Sequence, residues 1–116
     1  MLVLIAGSDL DYCARIGESL RRASHEVVSA ADLDVARTFL ARAAATDAVV
    51  VSGSAAEPVP AEFVRWVHAR DEMPVMVLVE DAAPASASHY VNLGAVCAEK
   101  PAGPAEVTRW LETFER

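Results

Sequence analysis

The sequence predicts an α/β domain: a doubly wound, five-stranded parallel sheet covered by helices on both faces, a three-layer αβα sandwich. Three observations predict it. Short runs are apolar at every position instead of alternating, as strands buried on both faces are. Each run is followed by a stretch of helical period. The strand–helix pairs repeat through all 116 residues, and crossovers this short are right-handed, so the helices divide between the two faces of one sheet.

The first strand is Leu2-Val3-Leu4-Ile5-Ala6, and Ile16, Leu20 and Ala23 line one stripe of the helix after it. Glu26-Val27-Val28-Ser29 is a weaker strand candidate. Asp32 stands where an N-cap belongs, and Ala36, Phe39, Leu40 and Ala43 then keep helical spacing. Val49-Val50-Val51 is the third strand. Pro60 suits the first position of a third helix carrying Phe63, Val64 and Val67. Val75-Met76-Val77-Leu78-Val79 is the fourth strand. Pro84 opens a fourth helix, which Gly94 ends as the residue just past it. Ala95-Val96-Cys97-Ala98 is the fifth strand, and Pro104 opens a fifth helix with Val107, Trp110, Leu111 and Phe114 on one stripe. With no repeat, linker or low-complexity tract, residues 1–116 read as one domain, softest between Gly53 and Pro60.

Composition removes several function classes. Ten basic against seventeen acidic residues give a net charge of −7. That balance argues against nucleic acid, whose phosphates require a basic face, and against an anionic membrane surface. The longest apolar runs are about half the ~20 residues a bilayer span needs. The apolar start lacks the basic region of a secretory signal. Cys13 and Cys97 read as free thiols in a reducing compartment, so the expected location is cytoplasmic. A chain this long buries about two-thirds of its unfolded surface and requires no metal or disulfide staple.

Open parallel sheets meet ligands at the C-terminal ends of their strands. Those ends are Gly7-Ser8-Asp9, Ser52-Gly53-Ser54, Glu80-Asp81 and Lys100-Pro101. Together with Leu4-Ile5-Ala6 before the first of them, His25-Glu26-Val27-Val28, Asp47-Ala48-Val49-Val50-Val51 and Gly94-Ala95, they resemble the receiver domain of bacterial response regulators. The resemblance covers essentially the whole chain, and the interval from Ser8 to Ser52 matches the family's interval from acidic pair to acceptor. It implies a (βα)5 flavodoxin-like fold and a place in two-component signal transduction.

The resemblance also shows what has been replaced. The family holds Mg²⁺ with an acidic pair, and Gly7 and Ser8 occupy those positions. Ser52 stands at the phosphoryl-accepting aspartate, and Val79 at the switch Thr or Ser. The swinging aromatic of the fifth strand has no counterpart; Cys97 or Ala98 falls there, in a segment one residue short. Lys100 and Pro101 remain, with Asp9 as a third acidic neighbour, and the family implies a cis Lys100–Pro101 bond. Mg²⁺ asks for carboxylate oxygens to offset its dehydration. A serine hydroxyl without an adjacent base is a poor nucleophile, and His25, His68 and His89 are not placed to serve. Asp9 and Asp11 are read as capping charge at the first helix, ahead of an anion held by Gly7 and Ser8.

The expectation is therefore a phosphorylation-independent pseudo-receiver, without cofactor, metal or catalysis of its own, that binds a protein partner or a second copy of itself. The family's usual output surface places the docking face around His89, Asn92 and Trp110, with packing at the core edge beside Val107, Leu111 and Phe114 the equal alternative for Trp110. Lys100 is expected to pair with Asp9, or less favourably Glu80 or Asp81. The alternatives are an enzyme or phosphoryl carrier on the same fold acting through Ser52, Cys13 or Lys100, and a small-molecule-binding flavodoxin-like module, which would lack a Gly-rich phosphate loop.

Overall fold

In the computed structural model, residues 1–42, 46–53, 59–71, 73–79, 90–99 and 104–113 are described. The elements run β1 (Leu2–Ala6), α1 (Leu10–Arg22), β2 (Glu26–Ala30), α2 (Leu33–Arg42), β3 (Ala48–Ser52), α3 (Ala61–Asp71), β4 (Val75–Val79), β5 (Val96–Glu99) and α4 (Pro104–Glu112). A helical turn at residues 90–92 precedes β5. The strands form one five-stranded sheet in the order β2-β1-β3-β4-β5, parallel at every pairing.

Local chemistry sets the helix ends. Asp32 caps α2 as its position predicts, accepting a 2.8 Å bond from the Val35 N–H. Asp9 caps α1, accepting from the Tyr12 N–H at 3.3 Å. α1 ends in a Schellman turn, with His25 N–H donating to Leu20 O and Ser24 N–H to Arg21 O, each at 3.0 Å. That turn needs a left-handed residue, and here it is Ser24 at φ 71°. The same pattern recurs at Gly94, φ +88°, where Ala95 N–H reaches Tyr90 O at 3.1 Å.

Because Ala95 belongs to that turn, β5 begins at Val96, one residue later than the apolar run suggests. β5 and β2 are edge strands, so their runs are not buried on both faces. Val96 is 43% exposed, Cys97 is half-buried, and β2 is exposed at Glu26 and Ser29. The N-terminal part of the fourth helix expected from Pro84, together with Ala43 and Phe114, lies outside the described residues.

The inner strands carry two cores. On one face Leu4, Val49, Val51 and Val77 pack with Ala36, Leu40, Phe63, Val64, Val67 and Tyr90. On the other, Val3, Ile5, Val50, Met76 and Leu78 pack with Cys13, Ile16, Leu20, Val107, Trp110 and Leu111. Side chains alternate between the faces along each strand, so an unbroken apolar run feeds both. Arg37 clasps α2 to α3 with a 2.9 Å ion pair to Glu62 and its guanidinium 5.5 Å from the Phe63 ring centre.

Candidate site at the C-terminal edge of the sheet

The strand order reverses direction between β1 and β3, the switch point where a doubly wound sheet opens a crevice. A hollow of about 340 Å³ lies there, lined by Gly7, Ser8, Ala31, Asp32, Leu33, Val51, Ser52, Val59 and Pro60. Gly7, Ser8 and Ser52 thus come together, as their places after β1 and β3 require. Val79 ends β4, half-buried against the α2/α3 core. Asp9 is exposed beside Ser8 as the α1 cap. Lys100, Pro101, Glu80 and Asp81 lie outside the described residues, and with them the cis bond and the expected lysine pairing.

The floor of the hollow is closed by a pinch between strands. A Cβ placed on Gly7 would lie 2.9 Å from Ser52 Cβ, 3.1 Å from Ser52 O and 3.3 Å from Cys13 Sγ. Gly7 N–H is bonded to Ala30 O of β2 at 3.0 Å, while Gly53 N–H is bonded to Leu78 O of β4 at 2.8 Å. Both strand ends are therefore anchored from their outer sides. Any residue larger than glycine at position 7 must push them apart.

Charge and donors are sparse. Asp32 is the only carboxylate among the described lining residues, and its Oδ1 is engaged in the α2 cap. Asp11, Asp34 and Glu62 sit in the first turns of α1, α2 and α3, already offsetting the positive ends of those helix dipoles. Ser52 Oγ is buried and has no hydrogen-bond partner among the described residues. No cluster of three or more metal-ligating side chains occurs among them either.

The other candidate nucleophiles are not set up to react. Cys13 is 4% exposed, beneath Gly7. Burial pushes the Cys97 thiol above its ordinary pKa, which favours the unreactive thiol. His25 is buried at the opposite, N-terminal end of the sheet, 3.4 Å from the Met1 amino group. His68 packs its ring on Gly94. Of the three residues expected on a docking face, Asn92 is exposed and His89 lies outside the described residues. Of the two places open to Trp110, the structure shows the core: at 9% exposure it packs on the α1/α4 side, turned inward by its helical stripe with Val107 and Leu111, and it does not belong to an exposed docking face.

Two contributions to the site have no local sequence signal. Val59 forms part of the wall, and the buried Tyr90 hydroxyl donates to its carbonyl at 2.7 Å. Burial, then the neighbouring Cys97, holds the Tyr90 phenol above its usual range. Asp32 was legible as a cap, and only the end of β2 beside β1 makes it part of the hollow.

Known structures share this architecture. A response regulator receiver protein from Pseudomonas putida superposes with a TM-score of 0.84 at 16% identity, over 97% of this chain and 95% of that one. The chemotaxis protein CheY4 of Vibrio cholerae matches with a TM-score of 0.79 at 24% identity, over 97% and 96%. A CheY-like receiver domain protein from Methanospirillum hungatei matches with a TM-score of 0.81 at 17% identity, over 97% and 91%. No family model matches the sequence, and no curated protein does. The chain has the fold of response regulator receiver domains.

Proposed function

We propose that this domain is a pseudo-receiver: a signal-transduction module that works by binding a protein partner and does not take up an aspartyl phosphate. The observation that carries this reading is the floor of the hollow. Three positions that hold carboxylates in a phosphorylated receiver are Gly7, Ser8 and Ser52, and the strand ends close tightly on Gly7. A divalent cation there would find hydroxyls and peptide groups where it requires carboxylates. Among the described residues no base is hydrogen-bonded to Ser52 Oγ to activate it for attack on phosphorus.

The test is incubation with acetyl phosphate, or with beryllofluoride, in the presence of Mg²⁺. Intact mass and the tryptophan emission should stay unchanged. A stoichiometric, acid-labile mass increase would refute the reading. Partner binding belongs, on this reading, to the exposed surface around Asn92, where Val91 and Val96 are 56% and 43% exposed. Asn92→Arg should abolish capture of the partner from a native extract and leave the folded protein intact.

A further inference from the structure

We infer that the outer face of α2 is a self-complementary surface through which two copies of this chain associate weakly, in antiparallel fashion. This goes beyond the pseudo-receiver reading and does not depend on it. The face consists of Asp34, Val35, Thr38, Ala41 and Arg42, all exposed. A hollow of about 510 Å³ runs along Asp34, Val35, Thr38, Phe39 and Arg42. Val35 is 49% exposed. The Thr38 hydroxyl donates to Asp34 O of its own helix at 3.0 Å, which engages its polar atom within the helix. The middle of the face is therefore apolar and its two ends are charged.

The occupant follows from the order of these residues. Read outward from Thr38, the face has Ala41 and Val35 three positions away on either side, then Arg42 and Asp34 four away. A two-fold axis at Thr38 would pair Asp34 with Arg42 of the second copy and Arg42 with its Asp34. Val35 would meet Ala41, a large residue opposite a small one, and Thr38 would meet itself. A two-fold interface requires this reciprocity, in which one patch complements itself. Antiparallel helices also set opposite dipole ends side by side. Both charges are available. The Asp34 side chain is 93% exposed and only 3.4 Å-paired to Arg37, whose shorter contact, 2.9 Å, goes to Glu62. The exposed Arg42 ends the helix.

Size sets the strength. Ten residues of helix span about 15 Å, so the contact covers well under the roughly 800 Å² per partner of a stable dimer. Association is expected at dissociation constants on the order of 0.1–1 mM.

Sedimentation equilibrium from about 0.02 to 1 mM should show reversible monomer–dimer behaviour in that range. Asp34→Arg and Arg42→Asp, each alone, place like charges together and should abolish dimerisation. The double variant Asp34→Arg/Arg42→Asp should restore it within a few-fold. Both of its changes oppose the α2 dipole, so it is the least stable of the set, and recovery cannot reflect better folding. Thr38→Arg, which sets two cations on the axis, should leave a monomer with native circular dichroism. A wild-type chain monomeric at 1 mM would overturn the proposal. So would dimerisation that survives the single reversals, which would place the contact on another face, or a double variant that fails to recover, which would deny the Asp34–Arg42 pairing.

Discussion

Gly7→Ala tests the pinch that shapes the candidate site. The new methyl would lie 2.9 Å from Ser52 Cβ and 3.1 Å from Ser52 O, where carbon–carbon contacts are comfortable at about 3.5–4.0 Å. Neither neighbour is the end of a flexible side chain, so roughly half an ångström or more must come from separating β1 and β3. Those ends are tied outward by the bonds from Gly7 to Ala30 and from Gly53 to Leu78. Overpacking of this kind costs about 1–3 kcal/mol. With a urea m-value near 1.5 kcal/mol/M, a 2 kcal/mol loss lowers the unfolding midpoint by roughly 1.3 M. The assay is urea unfolding of wild type, Gly7→Ala, Ser52→Gly and the pair. Ser52→Gly removes the nearest carbon, so the double variant should recover at least about 0.5 kcal/mol relative to additivity. An unchanged midpoint for Gly7→Ala, or strict additivity with Ser52→Gly, would refute the steric account. The functional corollary is that Gly7→Asp carries the same Cβ, so an acidic pair cannot be rebuilt here without opening the sheet edge.

Ser24 holds a left-handed conformation at φ 71° that glycine adopts freely, so Ser24→Gly should stabilise the protein by about 0.5–1 kcal/mol in the same urea assay. Tyr90→Phe deletes the buried 2.7 Å bond to Val59 O and should cost about 1–2 kcal/mol, with chemical-shift changes at the hollow's Val59 wall. The pKa values of Cys97, Tyr12 and Tyr90 are raised in the fold from ordinary values of 9.0, 10.0 and 10.0, chiefly by burial. The unfolded chain therefore releases these protons first. Stability should be full below about pH 9 and fall as pH rises through the folded values, and Cys97→Ala should move the onset toward pH 10. Equal urea midpoints at pH 7 and pH 10.5 would contradict that sign.

The sequence by itself determined the fold class, because it rests on periodicity. Apolar runs in β1, β3 and β4 can be satisfied only between two layers, and Asp32, Pro60 and Gly94 mark helix boundaries through backbone chemistry confined to a few residues. That Gly7, Ser8 and Ser52 share one hollow is legible to the same extent, since each lies at or just past a strand end and a parallel sheet gathers those ends on one edge; Val79 ends β4 but does not line the hollow. Tertiary structure alone decided what lies across from each residue. That a Cβ at Gly7 would run into Ser52 and that Val59 is tied to Tyr90 depend on interstrand spacing and on how the helices are set against the sheet. Those are set by the summed packing of both cores and by no pattern within a single segment. The edge strands show the same division. β2 and β5 read as strands from their composition, but their exposure follows from having a neighbour on one side only, which is a property of the sheet order.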